Sequence, residues 1–135
     1  MIRNIAILKT DKSQVSGMKV WHKHGTLTNI DKLKEGDLLL FEFTKSSTNK
    51  SEKRIQYCME FISCDEDINN FSDKIWQKHW KYLVSGANLY ELANPFNIDK
   101  IQISNAKYNK TRWIAYLEDL DIELLYSQGF LKSRT

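Results

Sequence analysis

The sequence predicts an α+β domain: a small curved β-barrel flanked by two or three helices. Three observations predict it. Apolar and aromatic residues gather in short runs of strand length, one stretch alternates with a period of two, and a leucine-rich segment near the C-terminus repeats at helical spacing.

The elements follow in order. Ile5-Ala6-Ile7-Leu8 is an unbroken apolar run, which suits a buried strand. Asp11 to Gln14 reads as a turn or helix start, with Ser13 as cap of a brief helix through Gly17. Val20 to Gly25 has no clear period, Ile30 to Leu33 fits one helical turn, and Glu35-Gly36-Asp37 fits a tight turn. Leu38 to Phe43 is the clearest strand, and the polar stretch Lys45 to Lys53 reads as a hairpin loop. Ile55, Tyr57, Met59 and Phe61 alternate with Gln56, Cys58 and Glu60, as on a strand with one face buried. Asp65 to Asp73 reads as loop, Asn88 to Ala93 as strand, Asn94-Pro95 as turn, and Ile101 with Ile103 as a short strand. Leu117, Leu120, Leu124 and Leu125 take helical spacing, and Gly129 is a suitable stop.

Composition narrows the function classes. The 135 residues suit one domain over 1–135 with a core that needs neither disulfide nor metal. A hydrophobic fraction of 41% and a net charge of only +3 exclude an intrinsically disordered chain. That mild basicity permits a polyanionic partner without requiring one. Cys58 and Cys64 form no CxxC and are expected as reduced thiols in a cytoplasmic protein. No stretch approaches the ~20 apolar residues of a membrane span, so no membrane partner is expected.

Catalytic and metal motifs are missing from the sequence. His22 and His24, two apart, would share a face of a strand and with a cysteine could bind zinc, yet HExxH and paired CxxC are absent, and no metal or other cofactor is expected. No GxSxG or GxxxxGK[ST] occurs, and the acidic groups at Asp65-Glu66-Asp67 and Glu118 to Glu123 read as solvated faces. The chain is therefore expected not to be an enzyme.

The aromatic residues carry more information. Trp21 precedes His22-Lys23-His24, and Trp76 and Trp80 lie in Lys74-Ile75-Trp76-Gln77-Lys78-His79-Trp80-Lys81. Flat rings among cations suit base stacking with phosphate neutralisation, although tryptophans also fill cores and protein interfaces.

Ala6-Ile7-Leu8-Lys9-Thr10, Val20-Trp21-His22 and Ile75-Trp76-Gln77-Lys78-His79-Trp80-Lys81 resemble, in order, the first strand and the two tryptophan segments of the YTH domain. The pattern is similar more broadly to the PUA-like superfamily with its EVE and ASCH domains. The resemblance implies a reader that captures a flipped modified base, N6-methyladenine first, in an aromatic cage. It implies Trp21, Trp76 and Trp80 as cage walls, with Trp76 and Trp80 one residue closer together than in the family. Thr10, Asp11 and His22 would contact the base edge, and Lys9, Lys23 and Lys78 the phosphates. Such modules also stand at the N-terminus of McrBC-type restriction systems, which implies modified DNA as partner, with an AAA+ GTPase and a nuclease as further components. Two alternatives stay open: an RNA-binding PUA-like or YTH protein, and an ASCH-like nucleic-acid-processing enzyme, for which Lys9, Asp11 and Lys19 are the nearby polar candidates.

Overall fold

The structure is a computed structural model that describes residues 4–97 and 114–131. Its centre is a curled six-stranded sheet in the order β2-β5-β4-β3-β1-β6. The strands are β1 (Ile5–Thr10), β2 (Lys23–Thr26), β3 (Leu38–Phe43), β4 (Ile55–Glu66), β5 (Tyr82–Phe96) and β6 (Ile114–Tyr116). The helices are α1 (Val15–Trp21), α2 (Phe71–Trp76) and α3 (Asp119–Ser127), with 3-10 turns at Lys12–Gln14 and Lys45–Ser47.

The unbroken apolar runs have a direct cause. β1 pairs with β3 in parallel, Ile5 opposite Leu38 through Thr10 opposite Phe43. Both strands are covered on both faces, so apolar residues run on rather than falling at every second position. Ile5, Ile7, Leu38 and Leu40 join Ile122 and Leu125 of α3 in one core. Ala6, Leu8, Leu39, Phe41 and Phe43 join Met18 of α1, Ile30, Leu33 and Met59 in the other.

β3 and β4 form the expected hairpin, and Gly36 makes the expected turn at a φ of +94° that glycine adopts without strain. Tyr57, Met59 and Phe61 share one core as the alternation predicts, but Ile55 lies in the opposite one. A register shift between Ile55 and Tyr57 moves it there. In the same shift Leu92 to Pro95 on β5 face a single β4 residue, since Glu91 pairs with Tyr57 and Phe96 with Ile55. Asn94-Pro95 is thus part of a wide bulge inside β5 and not the turn expected, because a bulge asks no ladder bond of the amide that proline lacks.

Other expectations are corrected. α1 runs on to Trp21, beyond Gly17, and Asp11 rather than Ser13 accepts the capping bond, from Ser13 N at 2.9 Å. Ile30 and Leu33 are buried in irregular chain instead of a helical turn. β4 extends to Glu66, and α2 begins at Phe71 inside the segment read as loop. α3 forms where the leucine spacing places it and stops before Gly129 (φ +79°), but Leu120 is 75% exposed and Ile122 takes the buried position. Ile101, Ile103 and Arg112 lie outside the described residues.

Candidate nucleic-acid interface

A cavity of about 210 Å³ opens where the C-terminal end of β1, the first turn after it, β2 and the Lys78–Trp80 segment meet. Its lining includes Lys9, Thr10, Asp11, Gln14, His24, Gly25, Lys78 and Trp80. Typical small-molecule pockets span ~300–1,000 Å³, so this one suits a single flat ring system.

Each wall is fixed by local chemistry. Gln14 is buried and its side-chain amide pairs with both backbone groups of Gly25: Nε2 donates to the carbonyl at 3.1 Å and the Gly25 N–H donates to Oε1 at 2.8 Å. A side chain thereby does for edge strand β2 what a further strand would do. Trp80 packs against Gly25, where a Cβ would collide with the indole Cγ and come within 2.8 Å of the Trp80 Cβ. Glycine is required at position 25 to let the ring close that wall. The Trp80 backbone N–H donates to Ser72 Oγ at 2.9 Å, and Ser72 in turn bonds Asp67. Asp67 also accepts from the N–H groups of Phe71 and Ser72, both at 2.9 Å, and so caps α2. Burial pushes the Asp67 carboxyl up, but the bonds from Ser72 and Phe71 outweigh it and hold it below the usual carboxylate range.

His24 is buried and stacks on Phe41, ring centres 4.9 Å apart. Its Nε2 lies 2.7 Å from Thr10 Oγ1. Thr10 Oγ1 also lies 3.3 Å from the Asp11 carbonyl, and in the His24–Thr10 pair either group can be the donor. Burial drives the pKa from the ordinary 6.5 down to about 3, against weaker opposing effects of Asp11 and the Gly25 backbone, so the ring is neutral at pH 7. Among the described residues, two buried side-chain polar atoms have no hydrogen-bond partner: His24 Nδ1 and Trp80 Nε1. Both belong to residues that line this cavity. The indole nitrogen is a donor, and the imidazole nitrogen is donor or acceptor according to the tautomer.

The structure gathers part of the site read from the sequence. Trp80, Thr10, Asp11, Lys9 and Lys78 line the cavity, and Lys78 Nζ lies 4.3 Å from the Trp80 ring centre. Trp21, Trp76, His22 and Lys23 do not line it. Trp21 is 52% exposed at the end of α1 and meets Phe71 edge to face at 5.3 Å. Trp76 ends α2, donates from Nε1 to the Gln14 carbonyl at 3.2 Å and packs on Gly17. His22 is the left-handed C-cap of α1 (φ 51°), and Lys23 Nζ donates to Ser85 Oγ at 2.7 Å. Gln14, His24 and Gly25 join the site only in the structure. The spacing of His22 and His24 hints at a strand, but nothing in sequence marks Gln14.

Of the described residues, Asp67, Asp73 and His79 bring three metal-capable atoms within 4.8 Å of one another. Those groups are already engaged in capping α2 and in a 2.9 Å contact of His79 Nδ1 with Asp73. Cys58 and Cys64 are free thiols, and burial pushes the Cys64 thiol up. No helix among the described residues is long and apolar enough to cross a membrane.

No protein-family model and no curated protein matches the chain. Among solved structures it is similar to the N-terminal domain of Thermococcus gammatolerans McrB bound to m5C DNA, at a TM-score of 0.63 and 14% identity, over 96% of this chain and 100% of that one. The chain therefore shares the fold of that domain, an α+β fold around a curled six-stranded half-barrel sheet.

Proposed function

We propose that the chain is a single non-catalytic recognition module that binds modified DNA and takes one flipped base into the cavity between β1, β2 and Trp80. The observation that carries this reading is the concentration, in one cavity, of an indole wall, cations and the polar groups of Thr10 and Asp11. The likeness to an McrB domain bound to m5C DNA supports modified DNA as the guest; a restriction system with AAA+ GTPase and nuclease components is the setting that the sequence resemblance implies.

The base stacks on the Trp80 indole, a contact worth about 1–3 kcal/mol. Its exocyclic amine donates to the Asp11 carboxylate, which with Thr10 lines the cavity. N6-methyladenine and 5-methylcytosine both carry such an amine. The methyl group gains about 0.8 kcal/mol on burial against the apolar lining. Together these offset the few kcal/mol of unstacking that flipping costs. Lys9 and Lys78 meet the flanking phosphates. Trp21, outside the cavity, stacks on a base beside the flipped one, and Trp76 holds α2 against the Gln14 carbonyl.

The test is a fluorescence titration with duplexes carrying one N6-methyladenine, one 5-methylcytosine or no modification, and with single-stranded RNA carrying the same bases. The wild-type chain should prefer one modified duplex by roughly fourfold or more, the worth of one methyl group. Trp80→Ala should lose roughly tenfold in affinity, and the preference with it, while circular dichroism stays native. Equal binding of all duplexes, or a folded Trp80→Ala that keeps the preference, would sink the reading. A preference confined to RNA would move it to the RNA-binding alternative.

A further inference from the structure

A second concave surface, of about 640 Å³, lies in the β3–β4 loop and is lined by Lys45, Thr48, Asn49, Lys50, Glu52 and Arg54 together with Asn97. We propose that this groove is a phosphate clamp that holds the nucleic-acid backbone next to the base cavity, a proposal that rests on the base-reader reading above. Charge and position carry it. Lys45 and Lys50 are exposed, and neither meets a carboxylate among the described residues. The Arg54 guanidinium is engaged by buried Glu42 at 3.2 Å and stiffens the floor rather than serving the ligand. The carboxylate in the groove, Glu52, is held by Lys12 Nζ, so it does not oppose an anion.

The groove is tied to the base cavity through two contacts. The Thr44 N–H, at the start of the loop, donates to the carbonyl of Thr10 at 2.9 Å, and Thr10 lines the cavity. Lys12, whose ammonium reaches Glu52, follows Asp11 of the cavity directly. The two sites thus adjoin across residues 10–12, a chain span of at most ~7 Å, or about two nucleotide steps along one strand. The loop is also preformed: Asn49 Oδ1 accepts from the N–H groups of Ser51 at 3.0 Å and Glu52 at 2.9 Å, and the Thr44 carbonyl accepts from the hydroxyls of Ser47 at 3.1 Å and Thr48 at 3.2 Å. Little ordering entropy is therefore lost when a phosphate enters.

The experiment compares the wild-type chain, the double variant Lys45→Ala/Lys50→Ala and the control Lys34→Ala in duplex titrations over a salt series. Lys34 is exposed beside the Gly36 turn at the far end of β3. The double variant should bind modified and unmodified duplexes more weakly by the same factor. Its slope of log affinity against log salt should fall by about 1.8, or about 0.9 for each phosphate that a lysine no longer neutralises, with modification preference intact. The control should keep the wild-type slope. A double variant with the wild-type slope overturns the clamp and leaves the base reader standing. Wild-type binding without modification preference, but with the lower slope in the double variant, keeps the clamp and removes the reader. If the wild-type chain binds no duplex at all, both fall.

Discussion

His24 shows how one residue ties the candidate site to the fold. It stacks on Phe41, meets Thr10 and is held neutral by burial. That arrangement has a cost that can be measured. The folded pKa near 3 lies below the unfolded 6.5, so the unfolded chain binds the extra proton between those values. Stability from His24 is complete above pH 6.5 and is lost as the pH falls towards 3, at about 1.4 kcal/mol per unit. Urea unfolding should therefore show roughly 2 kcal/mol lost to this residue by about pH 5. In His24→Gln that part of the slope should vanish, although the variant is less stable at neutral pH. An unchanged pH dependence in the variant would mean that the ring is not held neutral by the fold. In sequence His24 stands out only as a metal candidate, because its burial depends on β2 pairing with β5, Gly25 opposite Leu83, a contact between residues far apart in the chain. Trp80 was legible because indoles beside lysines are unusual in any core. Trp21 and Trp76 share that signature but lie at the α1–α2 contact outside the cavity, and only the fold separates the two placements.

At the scale of elements, α2 was the hardest to foresee and is the one that sets the site. Six residues are too few to be stable alone, so the helix depends on its cap and its neighbours. Asp67 supplies the cap, and the same carboxylate orients Ser72, which holds the Trp80 backbone. Helix, cap and cavity wall are one hydrogen-bonded unit. Asp67→Ala should cost about 2 kcal/mol of stability, at the upper end for a capping residue, and should weaken modified-duplex binding although Asp67 does not line the cavity. Asp67→Asn, which keeps one acceptor oxygen, should recover part of both; equal losses in the two variants would show that the oxygen positions do not matter. In sequence, Asp65 to Asp73 is a run of polar residues, and a capping aspartate four residues ahead of its helix leaves no local signature. The strands that were legible, β1, β3 and most of β4, carry their own evidence in apolar content. β5 was only half legible, since a strand that continues through Asn94-Pro95 can be recognised only once its pairing with β4 is known to bulge.

For the whole molecule, the sheet order separates a protected centre from an adaptable rim. β3 and β1 lie inside the sheet with both faces covered, β4 beside them is mostly buried only in its first half, and β2 and β6 are the edges. The amides of Ile7, Leu39, Leu40 and Met59 should therefore exchange with solvent only through global unfolding, and those of β2 and β6 through cheaper local opening. This gradient makes hydrogen exchange a map of where the ligand sits. The base cavity draws on the rim through His24 and Gly25, so a modified duplex should slow exchange at Thr10 to Gln14, His24 to Thr28 and Lys78 to Trp80. The clamp should extend that protection to Thr44 to Lys50. A larger cavity, about 390 Å³, lies on the α3 side of the sheet between β5 and Tyr126 to Leu131, and it presents the Glu60 carboxylate. A polyanion is repelled there, so exchange at Leu92, Ala93 and Gly129 should not change on binding. Protection at that face instead, with none along β2, would place the interface on the wrong side of the sheet and remove both the reader and its clamp.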